Sequence, residues 1–181
     1  VYEHHSYTFV LAALFFAFQI YADFSGYSDI ARGLAKLLGF DLMINFKQPY
    51  LASNPREFWQ RWHISLSTWL KDYLYIPLGG NRKGEVKTYT NLMITMILGG
   101  LWHGAAWTFL IWGGLHGLYL LISFLTRNLR AKIVARAKLQ SWPTLYHATQ
   151  TILTFSLVCF AWIFFRADSL ASATLLIGNL F

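Results

Sequence analysis

The stretch Tyr89–Leu125, YTNLMITMILGGLWHGAAWTFLIWGGLHGLYLLISFL, decides the fold class. It is apolar almost without interruption. As one straight helix it would extend about 55 Å, against a bilayer core of roughly 30 Å. That is too long for one ordinary span. Its glycine pairs, Gly99-Gly100 and Gly113-Gly114, are places where a helix breaks or packs closely on another. One broken span and a re-entrant hairpin both fit. A dip that returns would put the break near Gly99–Gly104, around His103, and backbone of that kind survives at depth only inside protein or a wet cavity.

The flanks set the orientation. Upstream lies the basic turn Gly79-Gly80-Asn81-Arg82-Lys83-Gly84. Downstream, Thr126–Gln140 carries Arg127, Arg130, Lys132, Arg136 and Lys138 with no acid. Basic loops of membrane proteins stay in the cytoplasm, so Thr126–Gln140 and then Lys47–Lys87 are the cytoplasmic candidates. The stretch between them must then cross an even number of times or dip and return.

Two further spans are expected. One covers about residues 7–23 (Tyr7–Ala22, closed by Asp23), and the other covers residues 145–165, stopped by Arg166 and Asp168. After the first, DFSGYSD reads as a polar turn. Next to it an interfacial helix is expected over about residues 29–40, with Arg32 and Lys36 on one face. A second amphipathic helix is expected over residues 55–72, with Asn54 as N-cap and Pro55 at its first position. On a helical wheel Arg56, Gln60, Ser67 and Lys71 share a polar face. Phe58, Trp59, Trp62, Leu66, Trp69 and Leu70 form an apolar arc of about 120°. His63 falls on the border.

Composition agrees. Hydrophobic residues are 56% and charged residues 13% of the 181, about half the charge of a soluble domain. Many of the eight Trp and ten Tyr stand near the ends of the apolar runs, as interfacial belts do. The net charge of +7 sits in short segments between these runs, which argues for membrane loops and against nucleic acid. The expected fold is therefore all-α, a polytopic transmembrane helical protein with interfacial amphipathic helices. The chain opens with a polar stretch that lacks the pattern of a signal peptide. It closes inside an apolar stretch too short to span, and so reads as an internal fragment, residues 1–181, of one larger membrane domain.

Several chemistries find no support. No His or Cys spacing suits a metal, His4-His5 being a weak signal, and no metal is expected. GGNRKG lacks the spacing of a phosphate loop, and no dinucleotide glycine pattern is present. Ser65 and Ser67 are helix neighbours of His63 and assign no triad. The single cysteine, Cys159, permits no internal disulfide and reads as a small buried hydrophobe.

Among the histidines, His103 stands out. An ionisable group deep in an apolar run usually faces a cavity or a polar partner, and Gly99, Gly100 and Ala106 leave room beside it. A plain helix-contact role across the glycines competes with that reading. On a continuous helix His116 would stand about 140° from His103 and share no site with it. A helix contact is its simpler role. His63 is an ordinary border histidine by position, and His4, His5 and His147 sit at run ends.

The phrases NPREFWQRWHISLSTWLKDYLYIPLGGNRKG (Asn54–Gly84) and LGGLWHGAAWTFLIWGGLHG (Leu98–Gly117) resemble the membrane-bound O-acyltransferase family. So do QIYADFSGYSDIARGLAKLLGF and FAWIFFRADSL, and the likeness is to the bacterial branch that supports alginate O-acetylation. The resemblance implies a ring of tilted helices whose funnels meet near the family's histidines. It also implies transfer of an acyl group from a cytoplasmic thioester to a hydroxyl. The family's invariant histidine matches His103, its second polar position matches His63, and His116 matches a supporting histidine of the alginate-like branch. His103 is then the expected general base and His63 a positioning group. Arg56, Arg61, Arg82 and Lys83 could draw in an acidic donor, or simply set topology.

The resemblance further implies an inner-membrane, multi-pass bacterial enzyme with no tightly bound cofactor. Its co-substrate would be acetyl-CoA or an acyl carrier. Its partners would be membrane lipid, a polysaccharide acceptor and an extracytoplasmic acetyltransferase. The D-alanyl-transfer branch that modifies teichoic acids, and a non-catalytic scaffold or conduit, are the rival readings.

Overall fold

The computed structural model describes residues 6–179. His4 and His5 lie outside them. The described chain is helical, without strands, and three of its helices are long and apolar enough to cross a membrane: Tyr7–Leu37, Trp107–Leu125 and Pro143–Arg166.

Helix α1 (Ser6–Leu37) runs unbroken through the segment expected to turn. DFSGYSD contains one glycine and no proline, and an interior glycine costs only about 1 kcal/mol. Asp29 and Arg32 then pair along the helix at 3.3 Å. The expected separation into a span at 7–23 and an interfacial helix at 29–40 is therefore replaced by one long helix. It stops at Gly39, whose φ of +82° is open to glycine, and there the Phe40 N–H returns to the Ala35 carbonyl at 2.9 Å.

The single helix expected over 55–72 is also corrected. It is two short helices, α2 (Pro55–Arg61) and α3 (Ile64–Leu70), followed by a wide π turn over Lys71–Tyr75. Asn54 does cap α2, its Oδ1 accepting from the Glu57 N–H at 2.9 Å. Glu57 in turn accepts from the Ser53 N–H and hydroxyl and pairs with Arg61. The Ser53 hydroxyl leads in holding the Glu57 carboxyl below its usual range.

Tyr89–Leu125 resolves into a hairpin. Helix α4 (Glu85–Leu101) and helix α5 (Trp107–Leu125) are joined by a turn at 102–106. They lie antiparallel, since Gly100 meets Gly113 near the turn and Tyr89 meets Phe124 at the open end. The contact is as close as backbones allow. A Cβ at Gly113 would stand 2.3 Å from the Met96 carbonyl oxygen, and one at Gly100 would stand 2.3 Å from the Phe109 carbonyl oxygen. At the open end, buried Asn91 donates to the Gly80 carbonyl at 3.0 Å and fastens the basic GGNRKG turn to α4. That turn and the basic helix α6 (Arg127–Arg136) thus share one end of the hairpin, and His103 occupies the other.

Helix α7 (Pro143–Arg166) packs on α5, and the short helix α8 (Leu170–Gly178) comes after it, capped by the Ser169 hydroxyl. The centre of the packing is aromatic. Trp162 of α7 stacks on Trp112 of α5 at 5.7 Å and meets Trp62 at 5.1 Å. Tyr50 donates from its hydroxyl to the Ala17 carbonyl and ties α1 to this centre.

Candidate functional site

The break at His63 is built by a loop from earlier in the chain. The Lys47 N–H takes the Arg61 carbonyl at 2.9 Å, which ends α2. The Asn45 carbonyl then accepts from the Ile64 N–H at 3.0 Å. Its side chain accepts from the Ser65 N–H at 3.0 Å and the Ser65 hydroxyl at 2.7 Å, which starts α3. Between these clamps His63 takes φ +44°, ψ +56°, a left-handed conformation in which histidine is enriched among non-glycine residues. The half-buried ring faces Phe24 of α1 at 4.6 Å and Phe46 at 6.5 Å, and its Nδ1 lies 3.4 Å from the Ser65 hydroxyl.

His103 is placed by the hairpin turn. Its N–H reaches the Gly100 carbonyl at 3.0 Å, and the Gly104 N–H reaches Leu101 at 3.2 Å. Gly104 lets the Phe109 ring close on that turn, because a Cβ there would fall 2.6 Å from it. The His103 ring is open on one side. On the other it meets Phe165 at 5.1 Å, Trp112 at 5.3 Å and Phe109 at 6.2 Å.

The two imidazoles lie within electrostatic reach of one another. Burial lowers the pKa of His63 to about 4, with the charge His103 would carry as the second cause. The rings beside His103 exclude water and lower its pKa as well. Both groups therefore stand neutral at pH 7, where an imidazole can accept a proton.

His116 takes another place. It is 1% exposed and lies flat against Phe58 at 5.8 Å, with Trp59 at 5.0 Å and Trp112 at 4.9 Å. Trp112 separates it from His103, and its Nε2 is buried without a hydrogen-bond partner. It joins α2 to α5. His147 is in the first turns of α7, far along the helix from Phe165. Of the four basic residues, Arg61 is engaged with Glu57 and the Gln48 carbonyl, whereas Arg56, Arg82 and Lys83 are exposed.

Four residues that sequence reasoning did not single out complete the setting: Asn45, Phe24, Trp112 and Phe165. Asn45 had one legible signal, a capping-type residue between apolar neighbours. The three rings had none, since each matters through what lies opposite it. Phe24 and Phe165 also face a groove of about 350 Å³ between α1 and the end of α7.

A family model described as MBOAT, membrane-bound O-acyltransferase family, matches residues 2–170. The chain is 51% identical over 171 residues to a Pseudomonas putida protein named "Probable alginate O-acetylase", covering 94% of this chain and 33% of that protein. It is 46% identical over 167 residues to a Helicobacter pylori peptidoglycan O-acetyltransferase, covering 90% and 29%. Over 159 residues it is 28% identical to a Bacillus subtilis teichoic acid D-alanyltransferase, covering 83% and 39%. The chain thus spans about a third of the length of these curated relatives.

Proposed function

The chain belongs to the membrane-bound O-acyltransferase family, and we propose that the protein moves an acetyl group from a cytoplasmic thioester to a hydroxyl of an exported polysaccharide. The observation that carries the reading is that His63, against the Phe24 ring, and His103, against the Phe165 ring, lie within electrostatic reach of one another. A hydroxyl attacking a thioester must lose its proton as the carbon–oxygen bond forms and the carbon–sulfur bond breaks. A neutral imidazole is suited to take that proton and pass it to the departing thiolate. His103, on a glycine-lined turn with one open side, is the better placed base. His63 holds donor or acceptor beside it. Acetyl-CoA or an acyl carrier supplies the thioester, and no tightly bound cofactor enters the scheme.

Two of these relatives are by name O-acetylating enzymes, one of alginate and one of peptidoglycan, which supports acetyl as the group and a polysaccharide as its destination. The basic ends of α4 and α6 support a cytoplasmic position for that face in a bacterial inner membrane. The histidine turn at the opposite end fits delivery to an extracytoplasmic acceptor, directly or through a partner acetyltransferase.

The test is the O-acetyl ester content of the secreted polymer in the producing cell, with the full-length protein carrying His103→Ala or His63→Ala. Loss of ester at unchanged membrane abundance supports transfer through His103. Unchanged ester content would leave His103 as a packing residue and favour a scaffold or conduit.

A further inference from the structure

The hydrogen bonds around His63 fix where its ring proton sits. The Asn45 side-chain atom that meets Ser65 takes the Ser65 N–H at 3.0 Å. A backbone N–H can only donate, so that atom is the carbonyl oxygen, Oδ1, which can only accept. The Ser65 hydroxyl stands 2.7 Å from the same oxygen and therefore gives it its proton. A hydroxyl has one proton, and this one is spent on Asn45. Toward any third neighbour Ser65 has only lone pairs to offer.

That neighbour is Nδ1 of His63, at 3.4 Å. A bare Nδ1 would set one lone pair against another, whereas an Nδ1–H meets an acceptor. The contact is longer than the usual N–H···O range of roughly 2.7–3.2 Å, but its direction follows from which group has a proton left to give. A neutral imidazole carries a single N–H. With that proton on Nδ1, Nε2 at the far edge of the ring is a bare acceptor, and no donor among the described residues occupies it.

On the acyl-transfer reading proposed above, we infer that Asn45 and Ser65 are positioning residues that hold His63 in its Nδ1–H tautomer, so that its Nε2 receives a hydroxyl of the acceptor. The thioester carbonyl offers only lone pairs, and a bare Nε2 has no proton for it or for the oxyanion it becomes. An acceptor hydroxyl does bring a proton. His63 thus holds a hydroxyl beside the reacting one. The reacting hydroxyl gives its own proton to His103 as its oxygen bonds to the acyl carbon, and that proton leaves on the thiolate when the carbon–sulfur bond breaks. Ser65, its proton committed to Asn45, is not a nucleophile in this scheme.

The experiment reads both tautomer and kinetics in the full-length protein. Ser65→Ala is the decisive variant. It keeps the backbone N–H groups of positions 64 and 65 on Asn45 and removes only the hydroxyl. Protein labelled with 13C,15N-histidine is studied in lipid by solid-state NMR at about pH 8, where an imidazole is neutral. His63→Gln identifies the His63 signals. The wild type should show a protonated Nδ1 and a bare Nε2, and Ser65→Ala should bring in the Nε2–H form. Ser65→Thr should keep the wild-type pattern, and so should Asn45→Asp, whose carboxylate still only accepts.

In membranes that hold the cellular partners and labelled acetyl-CoA, Ser65→Ala should lower kcat/KM for the acceptor about two- to tenfold, the worth of one neutral hydrogen bond. Ser65→Thr should restore it, and KM for acetyl-CoA should not move. A protonated Nε2 in the wild type would overturn the inference, and that result needs no variant to fold. So would a Ser65→Ala loss with the tautomer unchanged, a shifted tautomer without kinetic effect, or a loss felt as KM for acetyl-CoA. A wild type that shows the expected tautomer and transfers no label would instead remove the acyl-transfer reading on which the role of His63 rests.

Discussion

His63 and His103 lie within electrostatic reach of one another, although one sits between two short helices and the other in the turn of a hairpin. The charge on His103 opposes protonation of His63. Desolvation opposes it on both rings.

The pH dependence of turnover should show this. A base of ordinary imidazole character would lose activity below about pH 6.5. With both values lowered, the acid limb of kcat should fall clearly below pH 6.5, read in full-length membranes with saturating donor. A limb at or above 6.5 would place the essential base elsewhere.

Stability should depend on the same group. The folded pKa of His63, about 4, lies below its ordinary value of 6.5. Its contribution is therefore fully present above pH 6.5 and is lost as pH falls toward 4, where the unfolded chain binds the extra proton first. The thermal midpoint of the detergent-solubilised full-length protein should fall through that window. His63→Asn, which removes the titrating ring, should flatten part of the slope.

The glycine seam of the hairpin separates two neighbouring positions. Gly113→Ala would drive a Cβ to 2.3 Å from the Met96 carbonyl, whereas Gly114 has open space around its Cβ position. Gly113→Ala should cost about 1–3 kcal/mol as an overpacked contact. Gly114→Ala should be neutral or slightly favourable, since alanine suits a helix better by about 1 kcal/mol. Thermal midpoints of the two variants, measured side by side, check this. Because α4 and α5 carry the His103 turn, Gly113→Ala should also lower turnover.

How much could be read from the chain depended on the range of the forces involved. The runs that became α5 and α7 are long and apolar, and the glycine pairs marked the seam, so these features were visible in local composition. The continuity of α1 was not. DFSGYSD has the residues of a turn, and the Asp29–Arg32 pair that suits a helix just as well leaves no distinct pattern. The break at Trp62–His63 was hidden for a different reason. Nothing within 55–72 requires it; Lys47 and Asn45 impose it from a loop that precedes the helix. The rings that face His63 and His103, Phe24 and Phe165, likewise come from opposite ends of the chain. Only the likeness to a family suggested that the two histidines act together.

His63 combines two roles that one pair of variants can part. Its left-handed backbone makes the α2–α3 break, and its ring fills the space beside Phe24 and Phe46. His63→Ala and His63→Gly both remove the ring, but only glycine adopts φ +44° without strain, so His63→Gly should be the more stable by about 1 kcal/mol. Thermal midpoints give that difference, and ester transfer gives the other half. If the imidazole takes part in the chemistry, both variants should be equally poor, because glycine restores the turn and not the ring. Substantial transfer by His63→Gly, with none by His63→Ala, would mean that His63 serves the reaction through the shape of the chain and that His103 acts without a second imidazole.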